Sequence, residues 1–142
     1  KYAAEPRLCK RCQLLMPYRD IATKIHTAGF REGTIFATYF PHDLAGNLRS
    51  VFPNTRIVSV KFPAITRPLG TKGGQCLIIW MPKPWGVMDT RGMTQLTNMF
   101  LKSNIPYGHY PLKTIEFQLD RAPERTGKLH YMLFDPGVGQ CR

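Results

Sequence analysis

The chain has 142 residues, enough for one domain with a core of its own. Hydrophobic residues make up 43% and charged residues 20%, which argues against disorder, and no apolar run reaches the about 20 residues of a membrane-spanning helix. Lys and Arg number 20 against 9 Asp and Glu, and this net charge of +11 favours a phosphate-bearing partner: nucleic acid, anionic lipid or a phosphorylated ligand. Because the basic residues are scattered, a basic surface without a dedicated partner is an alternative.

The first predicted helix begins shortly after a pair of cysteines. Pro17 suits its first turn, and Gly29 supplies the left-handed residue that ends many helices. The apolar residues recur at helical spacing. They are Tyr18, Ile21, Ala22 and Ile25.

Residues 34–60 predict a strand, a loop, a helix and a second strand. Residues 34–38 form a short β-rich apolar run, and Asp43 can cap a helix that Pro53 ends. Residues 56–60 are the next strand. This order is a βαβ unit, and its nearly continuous apolar strands indicate burial on both faces.

The second half predicts three strands and one helix. Residues 75–81 are the most hydrophobic run and predict a central strand. Residues 113–119 and 128–134 predict an antiparallel hairpin joined by an eight-residue polar turn, 120–127. The third helix is predicted before them, with Met93, Leu96, Met99 and Phe100 facing inward. The order α-β-α-β-β-α-β-β indicates a single α/β domain with a three-layer, Rossmann-like, mostly parallel sheet and an antiparallel edge hairpin.

Four cysteines are present, and Cys9 and Cys12 form a CxxC pair. A four-cysteine zinc site needs a second such pair, and a thioredoxin-like redox site needs a strand before the motif; neither condition is met. Cys76 lies in an apolar run, so we interpret it as a small buried hydrophobic side chain. We expect a structural disulfide involving the terminal cysteines Cys9, Cys12 and Cys141, which requires an oxidising compartment. Zinc completed by Cys141 or a histidine is the alternative.

Candidate binding residues follow the predicted strands, because ligands in open α/β sheets bind beyond the carboxyl ends of the strands. His42 beside Asp43 could hold an oriented imidazole for acid–base chemistry, although a helix cap and a surface histidine explain the pair as well. Asn47 and Arg49 continue the helix, but their spacing of two points them to different faces. Trp85 lies in a proline-stiffened basic loop that could contact a sugar or a membrane interface.

No motif demands catalysis. The chain has no GxGxxG, GxSxG or HExxH, and the glycine-lysine loop at 70–74 lacks the Ser/Thr and helix of a phosphate-binding loop. The histidines lie on separate predicted elements without metal-ligand spacing; they are His26, His42, His109 and His130. We therefore expect no catalytic residue, no metal and no cofactor in this chain.

Three segments carry a resemblance to a known family. They are Cys9-Lys-Arg-Cys12-Gln-Leu-Leu-Met-Pro-Tyr18, then Gly33-Thr-Ile-Phe-Ala, then Asp43-Leu-Ala-Gly-Asn-Leu-Arg49 with Phe52-Pro53. Together they resemble the soluble tail of bacterial multi-spanning glycosyltransferases, which use polyprenyl-phosphate-linked sugars and are similar to protein mannosyltransferases and aminoarabinose transferases. The resemblance covers residues 1–60 well and the remainder only by the order of elements.

The resemblance implies a domain on the periplasmic side of the inner membrane, attached to membrane helices of the same polypeptide. A first residue that is Lys1 rather than Met agrees with a fragment. The family's catalytic carboxylate lies in the membrane part, so this domain would be non-catalytic alone and would help to position the acceptor or the sugar donor. Its partners would be the membrane part and an anionic lipid surface or polyprenyl-phosphate sugar. An oxidising periplasm would suit a Cys9–Cys12 link or a longer bridge.

Two alternatives come from the residues alone. The charge of +11 is compatible with a basic nucleic-acid-binding module, although scattered basic residues do not favour nucleic acid as the partner. A small stand-alone α/β enzyme with His42 and Asp43 in its site is the other alternative.

Overall fold

The computed structural model describes residues 16–37, 44–59, 74–81 and 111–136. These residues form two helices and five strands. In chain order they are α1 (Tyr18–Thr27), β1 (Gly33–Ala37), α2 (Leu44–Val51), β2 (Arg56–Ser59), β3 (Gln75–Trp80), β4 (Lys113–Leu119) and β5 (Ala122–Phe134). The fold is therefore α/β, as the sequence predicts. The predicted third helix lies outside the described residues.

The five strands form one mixed sheet in the order β2-β1-β3-β5-β4. β1 pairs in parallel with β2 and with β3, whereas β5 pairs antiparallel with β3 and with β4. The central position of β3 and the antiparallel hairpin at one edge are confirmed. Among the described strands the sheet is mixed rather than mostly parallel, because the hairpin supplies half of the pairings.

The sheet has two faces, and both are buried over the central strands. We call the face that packs against α1 and α2 the first face; its side chains join one hydrophobic cluster with the helices and include Ile35, Ile57, Leu77, Ile79 and Leu129. The alternate side chains define the second face and are also buried: Phe36, Val58, Ile78, Met132 and Phe134. Burial of β1, β2 and β3 on both faces is confirmed.

α1 ends in a glycine cap that also fixes its position on the sheet. Gly29 has φ 113°, its N–H donates to the His26 carbonyl, and the Phe30 N–H donates to the Ile25 carbonyl. These two hydrogen bonds form a Schellman motif, a common helix end, and they confirm the predicted role of Gly29. The Gln75 side-chain amide donates to the Gly29 carbonyl at 3.0 Å. The end of α1 therefore lies beside the first residue of β3.

Gly33 allows β1 and β3 to approach each other closely. Its φ is 140°, and a Cβ placed there would lie 1.9 Å from the Gln75 carbonyl oxygen. Only glycine avoids both the backbone strain and the clash. The Gly-Thr-Ile-Phe-Ala segment therefore begins with a residue that the strand pairing requires.

The hairpin differs from its predicted form. The turn consists of Asp120 and Arg121, not of eight residues, since Leu119 pairs with Ala122 and β5 begins there. Arg121 adopts a left-handed conformation with φ 61°, which closes the tight turn. An irregularity in the register between Gln118 and Leu119 absorbs the extra residues of β5. The polar sequence of this region misled the prediction, because one side of an antiparallel hairpin can face water.

Basic side chains from the two helices cover the two edge strands of the described sheet. At one edge, the Arg49 Nη2 donates to the Ile57 carbonyl of β2 at 3.1 Å. At the other, the Lys24 Nζ donates to the Glu116 carbonyl of β4 at 2.7 Å, and it also forms an ion pair with Asp20. Exposed strand edges template unwanted pairing, so these contacts protect the sheet as well as holding the helices on it.

Candidate functional site

The carboxyl ends of the parallel strands meet at one edge of the sheet, which we call the carboxyl edge. β1 ends at Ala37, whose Cα partners are Ser59, the last residue of β2, and Ile79 of β3. From β1 the chain moves first to one neighbour, β2, and then to the other, β3. In open α/β sheets, such a reversal of strand order opens a crevice in which ligands bind. The geometry therefore favours a site between the ends of β1 and β3.

Three of the sequence-predicted binding residues follow these two strands. His42 and Asp43 come after β1, and Trp85 comes after β3; all three lie outside the described residues. Because β1 and β3 are adjacent and parallel, the segments that carry these residues start side by side at the carboxyl edge. The sequence alone offers them as separate candidates, and the strand pairing shows that the strands preceding them end next to each other.

The other two predicted binding residues lie on α2. The Arg49 guanidinium donates to the β2 backbone, so in this structure it positions α2 against the edge strand. Asn47 is half-buried, and its carbonyl accepts a hydrogen bond from the Ser50 hydroxyl at 2.7 Å. Arg49 and Asn47 therefore make separate contacts: Arg49 binds the edge strand β2, and Asn47 is bound within α2.

Ser59 is a polar residue at the carboxyl edge that the sequence analysis did not single out. It is 2% exposed, and it shares the first face with Ile57, two residues earlier in β2. Within the described part of the chain, its buried hydroxyl has no hydrogen-bond partner. A buried hydroxyl without a partner costs about 1–3 kcal/mol, which makes it a group to explain. Its one sequence signal is a serine inside an otherwise apolar strand.

A row of three side chains crosses the second face at the end of β3. Trp80 pairs with His130 of β5, and His130 pairs with Thr114 of β4. The ring centroids of Trp80 and His130 are 5.9 Å apart, and the rings meet edge to face. The Thr114 Oγ1 lies 2.9 Å from the His130 Nδ1. When the hydroxyl donates in this contact, the imidazole carries its proton on Nε2 and can donate from there. Sequence spacing did not reveal His130 as a site residue, because its neighbours come from other strands.

Arg56 is one of the basic residues at the opposite edge of the sheet, and its role is structural. Arg56 begins β2, and its Nη1 lies 3.4 Å from the Thr34 hydroxyl, to which it donates. Burial lowers the pKa of the Arg56 guanidinium from its usual value. A guanidinium stays protonated even so, and this one lies at the start of the strands, away from the carboxyl edge. It stabilises the amino end of the βαβ unit rather than the candidate site.

The structure corrects the interpretation of Cys76. Its side chain is fully buried, as predicted, but it is disulfide-bonded rather than a free hydrophobic thiol. The other three cysteines, Cys9, Cys12 and Cys141, lie outside the described residues. The sequence pattern could not reveal this bond, since an apolar strand is compatible with both states of a buried cysteine.

The described ranges contain no cluster of three or more His, Cys, Asp or Glu side chains that could hold a metal ion. Nor is any helix within those ranges both long and apolar enough to cross a membrane. The described part of the site thus consists of apolar walls, hydroxyls and one imidazole.

Comparisons with known proteins do not add an assignment. No family model matches the chain, and neither a curated protein nor a solved structure matches it.

Proposed function

We propose that this chain is a non-catalytic accessory domain of a membrane glycosyltransferase, placed on the periplasmic side of the inner membrane. There it helps to position the acceptor or the polyprenyl-phosphate-linked sugar donor. The observation that carries the proposal is the parallel pairing of β1 with β3 at the point where strand order reverses. This pairing starts the segments with His42, Asp43 and Trp85 from one edge of the sheet.

The chemistry of the carboxyl edge suits a ligand with a phosphate and a sugar. His130, on the second face, can donate a hydrogen bond to a phosphate oxygen when its proton is on Nε2. Trp85 offers an aromatic surface for a sugar ring, and Asn47 is a further polar group on α2. The net charge of +11 attracts both the phosphate and an anionic bilayer.

We further propose that the complete sheet is sandwiched between two layers, as in a three-layer Rossmann-like domain. Both described helices pack on the first face, yet Phe36, Ile78 and Phe134 on the second face are at most 5% exposed. The connection from β2 to β3 must pass over β1, and the right-handed rule directs it across the second face when α2 covers the first. The predicted helix with Met93, Leu96, Met99 and Phe100 suits the same face.

The test is binding to lipid vesicles of defined composition. We expect the intact chain to bind phosphatidylcholine vesicles that contain polyprenyl phosphate more tightly than vesicles given the same charge with phosphatidylglycerol. The double variant His42→Ala/Trp85→Ala should bind both vesicle types equally, because it lacks the groups proposed to recognise the ligand. Equal binding of the unaltered chain to both vesicle types would leave only charge attraction and would contradict the proposal.

Matched controls separate recognition from bulk charge. Thr27→Ala alters an exposed residue at the far end of α1 and should change neither binding curve. Arg31→Ala removes one exposed positive charge from the opposite edge and should weaken binding to both vesicle types equally, by about 1 kcal/mol or less. The nucleic-acid alternative is tested with a single-stranded oligonucleotide at two salt concentrations. Tight binding with a steep salt dependence, together with no preference among vesicles, would favour that alternative.

A further inference from the structure

We propose that the disulfide partner of Cys76 is Cys141, so that a covalent bond ties the C-terminal tail to the second face of the sheet. Cys76 is disulfide-bonded and 0% exposed. Cys76 is the second residue of β3, and its neighbour Leu77 faces the helices. Because neighbouring residues in a strand point to opposite faces, Cys76 lies on the second face. The chain holds three other cysteines, and their positions relative to the described elements decide between them.

The end of β5, from which the C-terminal tail continues, lies beside Cys76. Phe134, the last residue of β5, is the direct Cα partner of Cys76 in the antiparallel pair. Such partners lie about 4.5–5.5 Å apart. Cys141 follows Phe134 by seven residues, which span up to about 25 Å when extended. This length is enough for the tail to reverse its direction and bring Cys141 back to Cys76. Pro136, followed by Gly137 and Gly139, is a composition that favours such a reversal.

The first described residue, Met16, lies at the other end of the sheet from Cys76 and on the other face. α1 ends beside Gln75, so its ten residues carry its start about 15 Å toward the carboxyl edge. Met16, just before it, belongs to the hydrophobic cluster on the first face. To reach Cys76 from Met16, the chain would have to pass from the first face to the second and then run back along the strands to the start of β3. The first part of this path is about 10 Å, the thickness of the helix layer, and the second is about 15 Å along the strands.

The chain between Met16 and each N-terminal cysteine is short for that path. Cys12 precedes Met16 by four residues, which span at most about 14 Å. Cys9 precedes it by seven residues, which cover the path only when fully extended and without a detour. Cys141 is thus the favoured partner, and Cys9 and Cys12 are left to pair with each other.

Bond formation is an ordinary thiol–disulfide exchange. One cysteine thiolate attacks the disulfide of an oxidant, a protein or small-molecule disulfide, and forms a mixed disulfide. The second thiolate then attacks the protein sulfur of the mixed disulfide, which forms the bond between the two cysteines. The oxidant takes the two electrons, and its two sulfurs take the two protons and become thiols. This inference does not depend on the proposed function, since it follows from strand pairing and chain length alone.

Peptide mapping of the intact chain, purified without reductant from an oxidising compartment, tests the pairing directly. Trypsin places the four cysteines on separate peptides, residues 8–10, 12–19, 73–91 and 129–142. With free thiols blocked before digestion, we expect peptide 73–91 linked to peptide 129–142, and the link lost after reduction. A link from 73–91 to 8–10 or 12–19, or an unlinked 73–91, would overturn the proposal.

Variants give a second readout that does not rely on the digest. Cys141→Ser should leave Cys76 without its partner and lower the Tm by roughly 10 °C, because the cross-link closes a long loop. The double variant Cys9→Ser/Cys12→Ser should keep the 73–91 to 129–142 link. If instead the N-terminal double variant frees Cys76, the partner is wrong.

Discussion

The parallel half of the sheet and the hairpin bury their side chains in different ways. In β3 five successive residues are buried, from Cys76 to Trp80. In β4 burial alternates, with Ile115, Phe117 and Leu119 buried and the residues between them exposed. The two halves share one sheet and one first face, so the difference lies on the second face. That face is covered over the parallel strands and over the end of β5 that pairs with β3, and it is open to water along β4.

This difference bears on the candidate site. β4 and β5 continue past the end of β3, since Thr114 and His130 are level with Trp80 and the strands run on from there. The polar side of the hairpin therefore flanks the carboxyl edge, next to the buried end of the parallel strands. Apolar residues with a few polar groups beside them are the usual composition of a ligand site, and the ends of the parallel strands next to the polar side of the hairpin fit that composition.

The largest expected effect comes from a close contact within the parallel half. Gly33→Ala should lower the free energy of unfolding by roughly 3–6 kcal/mol, because the new Cβ meets the Gln75 backbone and the residue keeps a positive φ. Denaturant unfolding followed by circular dichroism measures it.

The matched change in the hairpin is Gly127→Ala. There the added Cβ would lie 2.4 Å from the ring of Phe117, a side chain rather than backbone. We expect a smaller loss, roughly 1–3 kcal/mol, since a ring can shift where a paired strand cannot. Equal losses of unfolding free energy in the two variants would mean that both halves of the sheet adjust equally to an added methyl group.

The next effect tests burial on both faces of the parallel half. Ile78→Ala and Ile79→Ala alter neighbouring residues that face opposite sides, and they are 2% and 0% exposed. Each should cost about 2–5 kcal/mol of unfolding free energy, because each leaves a cavity in a packed layer. Denaturant melts of the two variants, side by side, give the comparison.

Substitutions at two neighbouring residues of the hairpin should differ from each other in their effect on stability. Phe117→Ala removes a buried ring and should cost about 3–5 kcal/mol, whereas the exposed neighbour Glu116→Ala should change stability by no more than about 0.5 kcal/mol. If Ile78→Ala proved as mild as Glu116→Ala, the second face of the parallel half would not be a packed layer.

Much of this fold was predictable because its signals are local. Helical spacing and the Gly29 cap located α1, and the apolar runs located β1, β2 and β3 to within a residue or two. The hairpin was predicted as a pair but not in its turn, since the left-handed conformation of Arg121 replaces the usual glycine or asparagine.

The site was harder to predict, because it depends on which strands are neighbours. His42, Asp43 and Trp85 are predicted from their positions after strands, and they lie outside the described residues; only the order β2-β1-β3 shows that the two preceding strands are neighbours. Ser59 and His130 carry at most a weak sequence signal, a single polar residue inside a strand, and such a residue becomes a candidate only through its partners on other strands. The bond at Cys76 was missed for the same reason.

The central claim, that the carboxyl edge between β1 and β3 binds a lipid-linked phosphate, is tested most directly by an NMR titration. The intact isotope-labelled chain is titrated with a short, water-soluble isoprenoid phosphate, and with inorganic phosphate as the control. We predict saturable amide shifts that cluster at Ala37, Ser59, Trp80 and the segments that follow β1 and β3, larger for the isoprenoid ligand. Shifts confined to the opposite edge around Gly29 and Gln75, or no saturable shifts at all, would contradict the claim.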